Sequence, residues 1–186
     1  NRIADHSKLG EHSSWVKWSK PTAEALRQAC LAKESRIFDH EPSLPETFIK
    51  SVTVSDSTFL GSANLEFNKQ YNALIGGRGT GKSTLLEYIR WCLCDHKNDA
   101  LIKNTLKPRN AKVTVEFFVD RTPHFISRCA ATNETKLKIN DGEEKPITSE
   151  EIRSKFSIQA YSQKEISDLS QDREALKRFV ETPIKD

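Results

Sequence analysis

The chain has 186 residues, of which 36% are hydrophobic and 30% are charged, and its formal net charge is +3. This length allows one domain of ordinary size with its own core. No apolar run approaches the length of a membrane-spanning helix, so we expect no membrane partner. A charge of +3 is too small to indicate nucleic-acid binding by itself. The chain contains no Met, even at its start, and we interpret it as a fragment of a longer protein.

The four cysteines are Cys30, Cys92, Cys94 and Cys129. They form neither a C-x-x-C pair nor a dense disulfide framework, so a reducing, cytoplasmic compartment is the default expectation. Cys92 and His96 would share one helical face, but two ligands are too few for a structural zinc site. We therefore expect these two to be packing and surface residues.

Residues 1–46 differ in character from the rest and predict the tail of an upstream domain followed by a linker. Within them, Pro21-Thr22 opens a predicted helix that runs to about Lys33, with Thr22 as its N-cap. The segment 41–46, Glu-Pro-Ser-Leu-Pro-Glu, carries two prolines and is typical of a linker. A second domain is then expected over residues 47–186.

Three strands are predicted ahead of the glycine-rich part of the chain. Apolar residues at 49, 52 and 54 indicate the first, and Leu65 with Phe67 indicates the second, after a turn near Gly61. The short apolar run Tyr71–Ile75 predicts a third, buried strand that leads directly into the glycines.

The run Gly76–Ser83 matches G-x-x-x-x-G-K-[ST], the phosphate-binding P-loop. A helix is predicted directly after it, because Gly and Pro are absent from 82 to 94 and four apolar residues fall on one helical face. Those residues are Leu85, Leu86, Ile89 and Leu93. Strand, glycine loop and helix in this order are the context that the motif requires.

The residue types in this run explain the predicted chemistry. Glycines let the backbone turn tightly and bring its N–H groups to phosphate oxygens, and the following helix points its positive end at the same anion. Lys82 would reach the β- and γ-phosphates of ATP, and the Ser83 hydroxyl would bind Mg²⁺. Nucleotide contacts are thus predicted at Gly76, Gly77, Arg78, Gly79, Thr80, Gly81, Lys82, Ser83 and Thr84.

A basic stretch follows the predicted helix, with no acidic residue between Leu101 and Val115. Its cations are Lys103, Lys107, Arg109 and Lys112. One interpretation is contact with a nucleic-acid phosphate backbone. The favoured one is a solvated loop before a strand.

Residues 112–148 predict an antiparallel sheet inserted after the P-loop helix. Residues 112–119 alternate cleanly, a turn is expected at 121–123, and Asn140-Asp141-Gly142 is a strong hairpin signal. Asp120 follows an apolar strand, as the acid of a Walker B motif would. The alternation and the turn instead assign Asp120 to the antiparallel arm, so we reject it as that acid.

The last part of the chain predicts a short helix from Ser149 and a core strand over Phe156–Tyr161. That strand would end at Ser162-Gln163, and helical stretches would follow, the second near Asp172–Val180.

This order of elements resembles the N-terminal lobe of an ABC-type ATPase head of the SMC class. The resemblance implies an α/β P-loop NTPase fold with an antiparallel β subdomain. It also implies that Gln163 is the Q-loop residue whose amide reaches Mg²⁺ or the attacking water, with Gln159 a weaker candidate. In that class the Walker B and signature residues lie beyond a coiled coil. Nucleotide is held between two heads, which implies a head-to-head homodimer.

A closer resemblance is to a bacterial family that joins a PHP-type phosphoesterase domain to an SMC-like ATPase. It is carried by Arg78-Gly79, where the usual SMC loop has Asn-Gly, and by the segments 15–17, 21–28 and 161–165. The resemblance implies a role in nucleic-acid processing, repair or defence against foreign DNA. Asp5-His6 lacks the spacer of the Asp-x-His motif that ends PHP domains, so we assign no metal to it.

Three functions therefore compete. The first is an ATPase lobe that hydrolyses ATP once a second lobe and head dimerisation complete it. The second is a small-molecule P-loop kinase, against which the insert at 112–148 and the position of Gln163 argue. The third is a regulatory module that binds nucleotide without turnover. The chain by itself is expected to bind ATP at most, because no general base is apparent.

Overall fold

A computed structural model gives the fold and describes residues 10, 13–18, 20–94, 99–156, 160–161 and 177. The chain divides into two compact units, Asn1–Leu44 and Pro45–Asp186. Several predictions concern residues outside the described ones: those for Asp5, His6, His96, Gln159 and Gln163. The helical stretches expected beyond Gln163 also lie outside, apart from residue 177.

The first unit combines two short consecutive helices with a two-stranded ladder. Its elements are β1 (Trp15–Val16), α1 (Ala23–Leu31), α2 (Lys33–Arg36) and β2 (Ile37–Phe38). The strands β1 and β2 pair antiparallel. The Thr22 hydroxyl accepts a hydrogen bond from the Ala25 amide at 3.2 Å, which confirms the predicted N-cap and satisfies one free donor of the first turn.

The second unit contains one antiparallel sheet and three α-helices among its described residues. Its elements are β3 (Phe48–Ser57), β4 (Gly61–Glu66), α3 (Lys82–Leu93), α4 (Asp99–Thr105), a 3₁₀ turn (Lys107–Arg109), β5 (Lys112–Val119), β6 (Thr122–Cys129), β7 (Thr135–Ile139), β8 (Lys145–Pro146) and α5 (Ser149–Phe156). The six strands run in the order β4-β3-β5-β6-β7-β8.

The predicted insert at 112–148 is therefore continuous with the strands that precede the P-loop. The strand β5 pairs with β3 along most of its length, from Phe48 opposite Phe118 to Ser55 opposite Lys112. The sequence predicted an antiparallel sheet here, but as an insert after the P-loop helix that was separate from the earlier strands. Because the apolar alternation of β3 matches that of β5, the two strands share one buried face and join into one sheet.

The core lies between one face of this sheet and the helices α3 and α5. From the sheet, the strands β3, β5 and β6 contribute Val52, Val54, Val113, Val115, Phe117 and Ile126. From the helices come Leu85, Tyr88, Cys92, Ile152 and Phe156. The rings of Phe117 and Phe156 meet edge to face, with centroids 4.6 Å apart. Burying this face is the main stabilisation of the unit.

The buried Arg128 caps the C-terminal end of α3. Its guanidinium donates to the Trp91 carbonyl at 2.6 Å and lies 4.9 Å from the centroid of the Trp91 ring. A cation placed here satisfies a carbonyl of the last turn and complements the negative end of the helix.

The turn between β5 and β6 is formed by Asp120 and Arg121, both with positive φ, 48° and 67°. Two such residues match the right-handed twist of a tight hairpin. The turn thus comes earlier than the predicted 121–123, since Thr122 and Pro123 already belong to β6. Asp120 lies at the exposed end of an antiparallel hairpin, as the rejection of a Walker B role requires.

The prediction of a buried strand at Tyr71–Ile75 is wrong. This segment forms no strand, and the side chains of Tyr71 and Ile75 are 88% and 92% exposed. Near its start, the Asn72 side chain accepts from the Asn68 amide at 2.9 Å and donates to the Gln70 carbonyl at 2.7 Å. Such local side-chain bonds favour a turn over a ladder, and no described strand pairs with the segment.

The prediction of a core strand over Phe156–Tyr161 is wrong at its start, because Phe156 is the last residue of α5. Ala160 and Tyr161 have no regular structure, and residues 157–159 lie outside the described residues.

The predicted start of a helix at Ser149 is confirmed. Thr148 and Glu151 form a reciprocal capping box, in which each side chain accepts from the other residue's amide, at 2.8 and 3.2 Å. That box, together with the buried Ile152, favours helix up to Phe156.

A buried hydroxyl pair yields a stability prediction. The Ser57 and Tyr88 hydroxyls lie 2.8 Å apart with both residues fully buried. The Ser57 oxygen also accepts from the amides of Phe59 and Leu60, at 3.2 Å each. We expect Tyr88→Phe to lower the free energy of unfolding by about 1 kcal/mol and Ser57→Ala by about 2 kcal/mol, because the second change leaves more donors unpaired. Urea unfolding of both variants measures this, and equal losses would contradict it.

The thiol of Cys92 yields a pH prediction. Burial raises its pKa from 9.0 to about 12. Between these values the unfolded chain releases the thiol proton and the folded chain keeps it, so rising pH favours unfolding. We expect the stability advantage of the wild-type chain over Cys92→Ala to be constant below pH 9. Above it, the advantage falls by roughly 1.4 kcal/mol per pH unit. Urea unfolding at several pH values measures this, and a constant difference up to pH 11 would contradict it.

Candidate functional site

The glycine loop reaches α3 through two left-handed residues. Gly79 has φ +79° and Gly81 has φ +90°, a region that residues with a Cβ rarely adopt. Gly81 is the N-cap of α3, and its carbonyl accepts from the Leu85 amide at 2.8 Å. Gly79 and Gly81 are therefore required by the backbone path itself.

The start of α3 has the properties of an anion-binding helix end. Gly81 provides no side-chain cap, and the first turn contains no acidic residue. The amides of the first turn have no partner within the helix, and the helix dipole adds partial positive charge at the same place. A phosphate group satisfies both requirements.

Lys82 folds back over the loop. Its ammonium donates to the carbonyls of Gly76 at 2.8 Å and Gly77 at 2.5 Å, and the Thr80 hydroxyl donates to the Gly77 carbonyl at 2.9 Å. The same ammonium group therefore lies against the glycines whose backbone would hold a phosphate.

The turn between β3 and β4, Thr58–Leu60, supports the loop from behind. A Cβ atom added to Gly81 would lie 2.5 Å from Leu60 Cδ2 and 3.2 Å from Phe59 Cε1. The hydrogen bonds of Ser57 to this turn and to Tyr88 of α3 connect the strand, the turn and the helix. These positioning residues were not found from the sequence, where the only signal was a turn expected near Gly61.

The remaining motif residues are accessible. Arg78, Gly79, Thr80 and Ser83 are exposed, and Thr84 is half-buried. All nine predicted nucleotide contacts, 76–84, lie in one loop and the first turn of α3. The predicted contact of Gln163 with Mg²⁺ concerns a residue outside the described ones.

The described residues contain no group of three or more His, Cys, Asp or Glu side chains that would hold a metal ion. Mg²⁺ in nucleotide sites is held by one or two protein oxygens together with phosphates and waters. The exposed Ser83 hydroxyl at the start of α3 fits that requirement.

Cys92 is buried in the core, where its thiol meets the carbonyls of Val113 and Ile126 at 3.5 Å each, which fits the packing role expected for it.

A groove of about 460 Å³ lies along another face of α3, and none of the residues 76–84 lines it. Its walls include Phe48, Phe67, Leu86, Ile89 and Leu93. Leu86 was predicted to share the buried face but is 52% exposed. The face that meets the sheet is centred on Leu85, Tyr88 and Cys92, so the neighbouring position 86 turns away from the core.

The AAA domain family matches residues 57–186, which is most of the chain. The chain therefore belongs to this AAA domain family, which consists of SMC-like P-loop ATPases. This agrees with the resemblance to SMC-class ATPase lobes and establishes a nucleotide-binding ATPase domain. A mixed α/β architecture with an antiparallel sheet fits such a fold.

A comparison with curated proteins finds no match. Among the described residues, no helix is both long enough and apolar enough to cross a membrane.

The two left-handed glycines allow a matched test of the loop. Gly79→Ala introduces backbone strain only, because nothing lies within 4 Å of its added Cβ, whereas Gly81→Ala adds a clash with Leu60. We expect Gly79→Ala to cost about 1 kcal/mol of unfolding free energy and Gly81→Ala about twice as much. Urea unfolding measures both.

The additional loss in Gly81→Ala should shrink when Leu60→Ala is combined with it, since the clashing methyl group is then removed. Purely additive losses of unfolding free energy from these two changes would show that Leu60 does not exclude a side chain at position 81.

Proposed function

We propose that this chain is the ATP-binding lobe of an ABC/SMC-like ATPase. The observation that carries the proposal is the geometry of one short stretch. The Lys82 ammonium, the glycine backbone and the uncapped start of α3 converge on the same place. A triphosphate offers negative oxygens to all three.

In this proposal Lys82 exchanges the Gly76 and Gly77 carbonyls for oxygens of the β- and γ-phosphates. The amides of the loop and of the first helical turn hold the phosphate chain, while Ser83 and Gln163 hold Mg²⁺. The ion, when bound, neutralises charge that develops on the phosphate oxygens during transfer. Thr80 keeps the loop closed through its bond to Gly77.

Hydrolysis is proposed to need a second lobe that provides the Walker B acid and the signature, together with a head-to-head homodimer. The exposed apolar side chains next to the P-loop support this. Tyr71 and Ile75 are almost fully exposed, and Leu86 borders an apolar groove. An exposed apolar groove is a surface that a partner can cover.

A regulatory module that binds nucleotide without turnover remains the second candidate. The observation in its favour is that Asp120, the acid that follows the apolar strand β5, lies at the end of a hairpin outside the nucleotide loop. Binding would then order a partner surface by shifting a conformational equilibrium.

The wider context is proposed from the resemblance to the PHP-fused ATPases. Residues 1–46 would be the tail of a PHP-like domain plus linker, and residues 47–186 the ATPase lobe. The protein would act in the cytoplasm in nucleic-acid processing, repair or defence.

Substitution of Lys82 tests the nucleotide site. We expect Lys82→Ala to weaken Mg-ATP binding by at least about tenfold, or about 1.4 kcal/mol, because its charge-assisted contacts to phosphate are lost. The exposed Lys136→Ala serves as the matched control and should bind like the wild type. Calorimetry measures the affinities, and phosphate release measures turnover.

We expect no turnover by this chain alone. Unchanged ATP affinity in Lys82→Ala would overturn the site. Lys82-dependent turnover by the isolated chain would place the catalytic acid within these residues and contradict the need for a second lobe.

A further inference from the structure

The strand β4 is the outermost strand at one edge of the six-stranded sheet. Among the described strands it pairs with β3 alone, with Val52 opposite Leu65 and Thr53 opposite Asn64. On its other side, the N–H and C=O groups of alternate residues point away from the sheet. A row of such groups is a template for pairing with another extended chain.

One hydrogen bond shows which residues of β4 have backbone groups on the open side. The Phe67 amide donates to the Lys50 carbonyl at 2.8 Å, so the odd-numbered residues of β4 direct their N–H and C=O groups toward β3. The even-numbered residues Ser62, Asn64 and Glu66 therefore direct theirs toward the open edge. The side chains of these three residues are exposed.

The next even-numbered position, Asn68, already carries a substitute for a neighbouring strand. Its amide donates to the Asn72 side-chain oxygen at 2.9 Å, and its carbonyl accepts from the Asn72 side-chain nitrogen at 3.0 Å. The side-chain amide of Asn72 thus makes both hydrogen bonds that a paired strand would make at this position. The open edge is therefore limited to the segment from Ser62 to Glu66.

The two edges of the sheet differ in their protection against further pairing. At the opposite edge, the strand β8 is only Lys145–Pro146. A short strand, a lysine and a proline are the features by which native proteins block an open edge. The strand β4 has six residues and contains neither Lys nor Pro. Its sequence therefore leaves this edge free to pair.

We propose that β4 pairs antiparallel with β4 of a second copy of this chain, with Asn64 at the centre of the pairing. This register uses every open backbone group from 62 to 66 and places Ser62 opposite Glu66 of the second copy. The chain already contains such a pair between β3 and β5, where the Ser51 hydroxyl donates to the Glu116 carboxylate at 2.7 Å. The edge is therefore complementary to itself.

The neighbouring registers are less favourable. A pairing centred on Glu66 would place two carboxylates directly opposite each other, which is destabilising. A pairing centred on Leu65 would require the backbone groups of Asn68, which already bond to Asn72. With Asn64 at the centre, Ala63 lies opposite Leu65 of the second copy, so the other face of the new strand pair is apolar.

This contact goes beyond the proposed function and does not rest on it. It includes no residue of the P-loop and requires no nucleotide. A two-fold axis through Asn64 would join the two six-stranded sheets into one continuous sheet.

Sedimentation equilibrium of the whole chain without nucleotide tests the self-association. Two short strands bury less than the roughly 1,000 Å² of a stable interface, so we expect a weak dimer with a dissociation constant on the order of 100 µM. Hydrogen exchange of the amides at 62, 64 and 66 should slow as the protein concentration rises. A chain that stays monomeric up to about 1 mM would overturn the proposal.

A matched pair of variants tests the position of the contact. Asn64→Lys places two ammonium groups opposite each other at the centre of the pairing, whereas Thr53→Lys adds the same charge on the adjacent strand. Both lose the hydrogen bond from the Thr53 hydroxyl to the Asn64 side chain at 3.1 Å. We expect dimerisation to weaken at least about tenfold in Asn64→Lys and to stay within about twofold in Thr53→Lys. Equal weakening would indicate general charge repulsion and overturn the proposal.

An exchange of side chains tests the register. Ser62→Glu places carboxylates opposite each other and should weaken the dimer by about tenfold. Combining it with Glu66→Ser restores a serine opposite each carboxylate, and the affinity should return to within about twofold of the wild type. If the double variant dimerises no better than Ser62→Glu, the register is wrong and the proposal fails.

Measurements with Mg-ATP separate this contact from the proposed head-to-head homodimer. Dimerisation without nucleotide that Asn64→Lys weakens and Lys82→Ala leaves unchanged supports pairing through β4, even if the chain binds no ATP and the proposed ATPase function fails. Dimerisation that requires Mg-ATP, is lost in Lys82→Ala and is unchanged in Asn64→Lys would overturn pairing through β4 while supporting the head-to-head contact.

Discussion

The close contact between Gly81 and the β3–β4 turn is the constraint on which the rest of the second unit depends. A left-handed residue without a side chain lets Leu60 and Phe59 approach the beginning of α3. This contact sets where the helix starts and where its free amides point. It also sets how close the glycine loop lies to the sheet, because the turn is bonded to Ser57 at the end of β3.

Local signals were sufficient to predict most of the phosphate loop. The motif predicts the chemistry of Lys82 and Ser83 by residue type, and the run of helix formers after it predicts α3 to within a residue of its observed end. The cap at Thr22 and the helix start at Ser149 follow from side chains that bond to the backbone within a few residues. The hairpin at 140–142 follows from its turn residues, with Asn140 at a positive φ of 49°. Such features need no knowledge of the remaining fold.

Features that depend on distant partners could not be predicted in the same way. Tyr71–Ile75 has the composition of a buried strand, but a strand forms only where another backbone accepts its hydrogen bonds. Leu86 fits an apolar helical pattern, yet only the position of the sheet decides which side of α3 is buried. The pairing of β3 with β5 and the packing of Leu60 against Gly81 join residues far apart in the sequence, and no local pattern reports them.

The pairing of Ser55 with Lys112, residues 57 positions apart, has a consequence for biosynthesis. A chain leaving the ribosome has its P-loop sequence well before β5 exists. Until then, the inner face of α3 cannot pack against β5 and β6. The chain between residues 55 and 112 must also be closed into a loop, at an entropic cost. The nucleotide site should therefore mature late, when β5 and β6 are complete. During that interval, a growing chain would expose both the loop and its apolar helix to chaperones.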